Sequence, residues 1–488
     1  MVRIISIRTV ALAAAISWLA PGLLSANDWR SLECDPSAEL GSWSCAATAC
    51  HGGSGEQRRS GGELELWRNS DPHASAGSLI ETPAFAEILL RLNVITALGD
   101  DTRPGKRVAL ITERSEAKVQ ECMNCHNPRN VPTSWTPLED SPDTVSIDNL
   151  SDGFAISCET CHGAAKDWIG KHYRRDFARE EHGFHDLKNL VVRGRTCAQC
   201  HIGDEQRDMN HDMIAAGHPP LRFELASYQR ALPKHWNDSR QRANTRDYEL
   251  KLWLAGQIAN FDTGLSLLES RLARSQSKEV IDDPSGRHPR PSAPWPEFAE
   301  SNCSSCHQRL RAATEWDPAR PRPYGQQPTL MWSTWNLGAM ESILLGERAT
   351  APLREESGNL RTVLSTSSPP SPSSVRDFHM HCRQQINADL WRSLRPQASL
   401  VFPASLEARL SVNYDEQLQS YALLMAHAKN SFDVEVKARG VAGRPPVVDD
   451  LAQIRSLLQP RNSTGPEQSS HAFGELKRLH SAAAEKLK

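Results

Sequence analysis

Apolar residues recur at helical spacing in several separate stretches of the chain. In the longest, residues 248–273, they fall mostly three, four or seven residues apart: Leu250, Trp253, Leu254, Ile258, Leu265, Leu268 and Leu272. That spacing places them on one face of an α-helix. We therefore predict one long amphipathic packing helix, which Gly264 could interrupt. Shorter helices are predicted at residues 83–92, 375–394, 405–429 and 472–487.

Proline and small polar residues interrupt the chain between these helices. Asn127-Pro128, Val131-Pro132 and Ser141-Pro142 predict irregular loops. Pro-rich stretches at 284–296 and 318–328 predict ordered loops, and the Ser/Pro-rich residues 365–374 predict a linker. The predicted fold class is mainly α with extensive irregular loops and a helical C-terminal region.

The first residues have the pattern of an export signal. Arg3 and Arg8 flank the start of an apolar run from residue 10 to 24, and the small residues Ser25 and Ala26 follow it. The run is shorter than the roughly 20 residues of a membrane span, so an uncleaved anchor is the weaker alternative. We predict that residues 1–26 are a signal peptide and that the mature protein is periplasmic or secreted, with no stable membrane span.

Composition adds few restrictions. The 488 residues carry a formal net charge of −3, which gives no support to nucleic acid or an anionic membrane as a partner. The sequence contains no phosphate-binding P-loop, no GxGxxG motif before a helix and no hydrolase GxSxG motif. The candidate chemistry therefore lies with cysteine and histidine.

Four cysteine pairs have the form Cys-x-x-Cys-His. They are Cys122, Cys125 and His126; Cys158, Cys161 and His162; Cys197, Cys200 and His201; and Cys303, Cys306 and His307. Two thiols at this spacing add to the two vinyl groups of one haem, and the adjacent His becomes the proximal iron ligand. A zinc knuckle or a redox dithiol does not require a His after every second Cys. The motifs predict four covalently attached haem c groups.

One further motif, nearer the N-terminus, is less regular. Cys45 and Cys50 are separated by four residues, and His51 follows the second cysteine. A longer spacer can loop out so that both thiols still reach one haem, which is the favoured interpretation. The alternatives are attachment through Cys50 alone, with Cys45 paired to Cys34, or a disulfide without a haem. Beyond five haems, Cys34 and Cys382 remain, and sequence does not establish whether they pair with each other.

Thirteen of the 18 histidines lie outside the five motifs, enough for a second His ligand on every iron. Sequence context ranks four first as distal ligands: His73, His172, His211 and His218. Weaker candidates are His182, His185 and His235, whereas His288, His379, His381, His427, His471 and His480 are predicted to have no ligand role. Met123, Met209 and Met213 are the alternative sixth ligands. Iron held by two His exchanges electrons but is closed to substrate.

Several stretches resemble the superfamily of multihaem c-type cytochromes that includes cytochrome c-554-like carriers, hydroxylamine oxidoreductase and pentahaem nitrite reductase. They are residues 45–53, 70–76, 156–173 (ISCETCHGAAKDWIGKHY), 193–225 and 295–310. The resemblance implies a mostly helical fold wrapped around haems stacked in pairs, and it supports distal roles for the same four histidines. Two departures count against an enzyme: the Cys-x-x-Cys-Lys motif of the nitrite reductases is absent, and the motifs are too few for a hydroxylamine oxidoreductase.

The sequence thus predicts a multihaem cytochrome c domain at residues 27–310, followed by a Pro-rich connection and helical region at 311–488. The expected function is electron transfer through about five covalently bound haem c groups, mostly with two His ligands. Periplasmic redox proteins are the expected partners. The alternative is an oxidoreductase that acts on a small nitrogen or sulfur compound at one haem with an open coordination position.

Overall fold

The computed structural model of the chain describes residues 38–52, 62–100, 107–111, 115–128, 137–138, 141–146, 156–177, 183–276, 280–281, 290–291, 294–303, 332–333, 335–336, 338–344, 351–366 and 368–400, with short pieces at 422–426, 428–429, 478–479 and 482. The predicted signal segment, Cys34, Cys306 and His307 lie outside these residues, as do His182 and most of the predicted helices at 405–429 and 472–487. No helix in these stretches is long and apolar enough to cross a membrane.

The described chain is mainly helical, as predicted. Its α-helices are α1 (Glu63–Ser70), α2 (Pro83–Arg91), α3 (Ser115–His126), α4 (Cys158–His162), α5 (Leu190–His201), α6 (His211–Ala215), α7 (Leu225–Ala231), α8 (Ser239–Asn244), α9 (Tyr248–Ser275), α10 (Gly338–Leu344), α11 (Ala351–Leu364), α12 (Pro372–Gln385) and α13 (Trp391–Leu394). Shorter 3₁₀ segments are Ser42–Cys45, Pro72–Glu81 and Phe298–Glu300, and a π-helical turn, Ile386–Leu390, joins α12 to α13.

A small sheet was not predicted. Strands β1 (Ile95–Asp100), β2 (Arg107–Ile111), β3 (Pro137–Leu138) and β4 (Ser141–Ser146) pair antiparallel in the order β1-β2-β4-β3. A two-stranded ribbon joins β5 (Val280–Ile281) and β6 (Arg290–Pro291). The expectation of an irregular loop at Ser141-Pro142 is therefore wrong, because this dipeptide opens β4. Proline is tolerated at the first residues of a strand, where its missing N–H breaks little of the ladder.

Helix α9 is the central element of the fold. Nearly its whole length is buried, and α5, α7, α10, α12 and α13 pack around it. The predicted helix at 248–273 is confirmed, but Gly264 does not interrupt it. A Cβ atom at that position would lie 3.1 Å from Cβ of Asn336, so the glycine serves close packing instead.

Two glycines hold the elements beside α9 at short distance. A Cβ atom on Gly194 of α5 would lie 2.9 Å from Cβ of Ala259, and one on Gly256 of α9 would lie 2.6 Å from Cβ of Leu225. Real Cβ atoms do not approach that closely, so larger residues would force these elements apart. Helix α5, which carries the motif of Cys197, Cys200 and His201, therefore packs directly against the core.

The predicted helix at 375–394 is confirmed as α12, the π-helical turn and α13. Its buried side chains include Val375, Phe378 and Cys382, and they join the same apolar cluster as α9. The Ser/Pro-rich linker is shorter than predicted, since α11 ends at Leu364 and α12 begins at Pro372. Helices α12 and α13 of the C-terminal region therefore pack on α9.

Candidate haem-binding sites

The three regular motifs that the structure describes end helices at their histidines. Helix α3 ends at His126, α4 at His162 and α5 at His201. In an α-helix, residues i, i+3 and i+4 lie on one face. Both thiols and the imidazole of each motif therefore project to the same side, as attachment and ligation of one haem require. We refer to these as the second, third and fourth sites, with the motifs of Cys45 and Cys303 as the first and fifth.

Local sequence explains the shape of the third site. Ser157 caps α4 by accepting from the Thr160 backbone N–H, and its own N–H donates to the Thr160 hydroxyl. Gly163 follows with a φ of +85°, and a Cβ atom there would lie 2.1 Å from the Gly183 carbonyl oxygen. Only glycine fits such a position. The chain therefore turns sharply after His162.

Glu159, between the third site's cysteines, joins that site to the first. Its side chain is fully buried and accepts from the backbone N–H groups of Leu40 (2.8 Å), Gly41 (2.6 Å) and Ala165 (2.9 Å). A buried carboxylate satisfied by three amides is a strong positional constraint. It fixes the segment that leads into Cys45.

The irregular first motif closes into a compact turn. The His51 N–H donates to the Cys45 carbonyl (3.3 Å), and the Gly52 N–H donates to Ala47 (3.1 Å). A Cβ atom on Gly52 would lie 1.9 Å from the Ala46 carbonyl oxygen, so the turn requires glycine. The spacer residues loop out, as the favoured interpretation expects, although the turn itself does not decide between attachment through two cysteines or one.

Three motif histidines each face one predicted distal histidine. The ring centroids of His51 and His172 lie 6.2 Å apart. Those of His73 and His201 lie 6.0 Å apart, and those of His126 and His218 lie 6.3 Å apart. The structure thus pairs the first site with His172, the second with His218 and the fourth with His73.

These separations fit two imidazoles on opposite sides of one iron. A metal–nitrogen bond of about 2 Å and roughly 1.1 Å from nitrogen to ring centroid give about 6 Å between centroids. Ordinary ring contacts also fall at 4.5–7 Å, so the distance alone is not decisive. Each pair also joins one motif His to one histidine that the sequence ranks as distal.

Hydrogen bonds at Nδ1 of these histidines also favour metal ligation through Nε2. In three of these histidines Nδ1 lies within hydrogen-bonding distance of a backbone carbonyl: His126 to Ala76 (3.2 Å), His172 to Ile169 (2.9 Å) and His218 to Pro219 (2.8 Å). In His73 it lies 2.8 Å from Asp71 Oδ1. Because these oxygens accept, Nδ1 carries the proton and a neutral imidazole keeps its lone pair on Nε2. Metal-ligating histidines have this arrangement.

Burial lowers the pKa of three motif histidines, His126, His162 and His201. It lowers the pKa of His201 to about 4, aided by His73, and it lowers the pKa of His126. Burial also lowers the pKa of His162 to about 4, with further contributions from nearby imidazoles, of which His235 is the largest. A metal ligand must be deprotonated to bind, so these environments suit ligation.

Cysteine contacts show which sites are neighbours. The thiol of Cys45 in the first site contacts that of Cys158 in the third, a hydrogen bond that lowers the pKa of Cys45 to about 6. The thiol of Cys125 in the second site contacts that of Cys200 in the fourth and lowers its pKa to about 6. The first and third sites therefore adjoin, as do the second and fourth.

His211 lies beside the chain that leads into the fifth motif. Its backbone N–H donates to Glu297 Oε1 (2.9 Å), and its ring packs against Phe298 at 5.6 Å between centroids. Cys303 is exposed at the end of that segment. His307 lies outside the described residues, so the fifth pairing stays a prediction.

The structure adds two residues that sequence reasoning ranked low or did not single out. Asp71 is buried beside His73, and His235 lies near it. The short spacing Asp71-Pro72-His73 was a usable signal for Asp71, since Asp often hydrogen-bonds two residues ahead.

His379, predicted to have no ligand role, lies buried between Asp262 and Glu269. Met123, an alternative sixth ligand in the sequence analysis, packs in the small apolar cluster of α2, β1 and α3.

The chain was compared with protein-family models, with curated proteins and with solved structures, and no match was found in any of the three.

Proposed function

We propose that the chain is a periplasmic multihaem c-type cytochrome that binds about five haem c groups covalently and transfers electrons between redox proteins. The observation that carries the proposal is the set of three histidine pairs at 6.0–6.3 Å. Each pair contains one motif histidine, and five of the six rings direct Nδ1 to an oxygen acceptor. Nε2 is left for iron.

The cysteines and the histidines have different roles at each proposed site. The two thiols would attach the haem covalently, and the motif His and its distal partner would ligate its iron. A haem bound in this way supplies a one-electron ferric/ferrous couple. With two His ligands on an iron, no position would remain for a substrate, which favours a carrier over an oxidoreductase.

The arrangement of sites supports transfer along a chain. Contact between Cys45 and Cys158 supports neighbouring haems at the first and third sites, and contact between Cys125 and Cys200 supports neighbouring haems at the second and fourth. Glu159 adds a polar link between the segments of the first and third sites. In this proposal residues 27–310 form the cytochrome domain, wrapped around its haems as in the superfamily that the motifs resemble.

Intact mass of the mature exported protein, together with electron paramagnetic resonance of its ferric form, tests the proposal. We expect apoprotein plus five haems and low-spin signals only. Four haems would remove the Cys50–His51 assignment and leave Cys34, Cys45 and Cys50 as disulfide candidates. A protein without covalent haem contradicts the proposal. A high-spin signal that shifts with nitrite or hydroxylamine would favour the oxidoreductase.

A further inference from the structure

Glu159 lies within the motif of the third site, but its contacts lead to the first. It follows the first cysteine of its motif, a position held by Met123 in the second site and by Ala198 in the fourth. All three side chains are fully buried. The other two motifs fill this position with an apolar group, so the motif itself does not require a carboxylate there. A buried carboxylate is costly unless its oxygens accept hydrogen bonds, and its partners therefore indicate its role.

A first set of contacts leads to the start of the first motif. Glu159 Oε1 accepts from the Leu40 backbone N–H (2.8 Å), and Oε2 accepts from that of Gly41 (2.6 Å). Gly41 precedes the 3₁₀ turn Ser42–Cys45 with a φ of +89°, a conformation that residues with a side chain rarely adopt. The carboxylate thus holds the segment from which the motif of His51 begins.

A second set of contacts leads to the predicted distal histidine of the first site. Glu159 Oε1 also accepts from the Ala165 N–H (2.9 Å). The Ala165 carbonyl accepts from the backbone N–H groups of Trp168 (3.1 Å) and Ile169 (2.8 Å). The Trp168 carbonyl accepts from the His172 N–H (2.9 Å), and the Ile169 carbonyl lies 2.9 Å from His172 Nδ1. Hydrogen bonds therefore connect the carboxylate to both the backbone and the ring of His172.

Packing makes this second segment rigid. Ala165 and Trp168 are buried, and the Trp168 ring contacts that of His172 at 5.2 Å between centroids. A further hydrogen bond ties the two segments together, since the Lys166 N–H donates to the Ala38 carbonyl (3.1 Å). A change at Glu159 is therefore transmitted to the imidazole, because no loose loop lies between them to absorb it.

We propose that Glu159 is a positioning residue for the first haem: from within the third motif, its carboxylate holds His51 and His172 at the separation that ligation of one iron requires. This inference rests on the proposed haem-binding function. The ring centroids of His51 and His172 lie 6.2 Å apart, and one set of contacts leads toward each ring. Hydrogen bonds from backbone amides to a carboxylate are stronger than those between neutral groups. Both ligands of the first iron thus depend on one side chain.

Glu159→Gln is the most informative variant because it keeps the shape of the side chain. A carboxamide has one acceptor oxygen, and its NH₂ group only donates. With the NH₂ group in place of Oε2, the bond from Gly41 is lost. With it in place of Oε1, the bonds from Leu40 and Ala165 are lost. Either orientation sets a buried N–H against an NH₂ group, so at least one of the two segments is released.

Carbon monoxide binding to the ferrous, full-length exported holoprotein tests the proposal, together with ferric electron paramagnetic resonance and haem content by pyridine haemochrome. We expect Glu159→Gln to keep the haem content of the wild type, to gain one high-spin haem and to bind one more carbon monoxide per chain. Added imidazole should restore the low-spin signal. If Glu159→Gln is not exported with its haems, Glu159→Asp, which keeps the acceptors but shortens their reach, is measured in the same way with the same expected gain.

A second variant identifies the iron that opens. His172→Gly removes the proposed distal ligand of the first site, so it should also bind one more carbon monoxide than the wild type. If Glu159 acts on that same iron, the double variant Glu159→Gln/His172→Gly binds one more, not two. Asp262→Asn is the matched control, since it also removes a buried carboxylate that accepts several hydrogen bonds. It should bind no additional carbon monoxide.

Four outcomes overturn the inference. If Glu159→Gln binds no more carbon monoxide than the wild type, the carboxylate does not position a ligand. If His172→Gly binds none in addition, His172 is not the distal ligand. If the double variant binds two more, Glu159 acts on a different iron. If Asp262→Asn gains a carbon monoxide site as well, loss of stability alone opens it. A wild type that lacks covalent haem would instead overturn the proposed function, so the two failures are distinguishable.

Discussion

Around α9, side chains from α5, α7 and the C-terminal helices close into one continuous apolar cluster. The segments that carry the first and third motifs are held differently. There a buried glutamate accepts three backbone amides, and paired imidazoles face each other across about 6 Å. The first region can fold by apolar burial. The second places paired imidazoles where an ordinary domain places apolar side chains. In the proposed function, haem supplies part of that interior.

The largest effect should come from the apolar region. Trp253 is fully buried at the centre of α9, and its replacement by alanine removes a large side chain and leaves a cavity. We expect Trp253→Ala to lower the free energy of unfolding by about 3–5 kcal/mol, measured by urea unfolding followed at 222 nm. Leu79→Ala, at a half-exposed position, should change it by less than about 0.5 kcal/mol. A similar loss in both variants would contradict the core assignment.

A charged contact buried within that same region should have an effect of similar size. Asp262 of α9 accepts from His379 Nε2 (2.9 Å) and Arg383 Nε (2.5 Å), and Arg195 Nε lies 3.6 Å away. Asp262→Asn leaves these cations without their counter-charge, so we expect a loss of about 3–5 kcal/mol in the free energy of unfolding. Asp167→Asn, on an exposed turn, is the control. A loss below about 1 kcal/mol would show that water or Glu269 compensates.

Sequence predicted these two regions unequally. The spacing of Leu250, Trp253 and Leu254 was enough for α9, because helical periodicity is local information. The motif cysteines could be identified from the sequence equally well. The pairings of His51, His126 and His201 with distal histidines depend on loop paths, set by contacts such as Glu159 with Leu40. The small sheet was missed because Pro142 indicates a loop and because the pairing of β4 with β2 is a tertiary contact that the local sequence does not reveal.

A pH dependence should separate the charged contact from the apolar packing around it. Burial opposes ionisation of His379, but hydrogen bonds to Asp262 and Glu269 outweigh it and raise the pKa of His379. Arg383 and Arg376 on α12 and Arg195 on α5 complete the charged surroundings. A raised folded-state pKa contributes stability below the unfolded pKa of about 6.5 that is lost as pH rises through the folded value.

We therefore expect the difference in unfolding free energy between wild type and His379→Gln to be larger at pH 6 than at pH 9. Urea unfolding at both pH values gives this difference directly. The comparison with the variant cancels the titration of other groups that the two proteins share. A difference that grows with pH would contradict the doubly hydrogen-bonded, protonated His379. His381→Gln, at an exposed position, should show a smaller difference at either pH.

The smallest effect tests the element that the two regions share. Helix α5 begins at the Asn189 cap, where Oδ1 accepts from Val191 N–H (3.0 Å) and Val192 N–H (3.4 Å), and it ends at His201 of the fourth site. Asn189→Ala should cost about 1 kcal/mol, and Asn189→Ser much less because its hydroxyl still caps. Because α5 packs on α9 and carries a cysteine motif, the unfolding midpoint at 222 nm and that of the Soret band of the proposed haems should move down together. A shift in the 222 nm signal alone would mean that the segments around the proposed haems are stabilised independently of the α9 core.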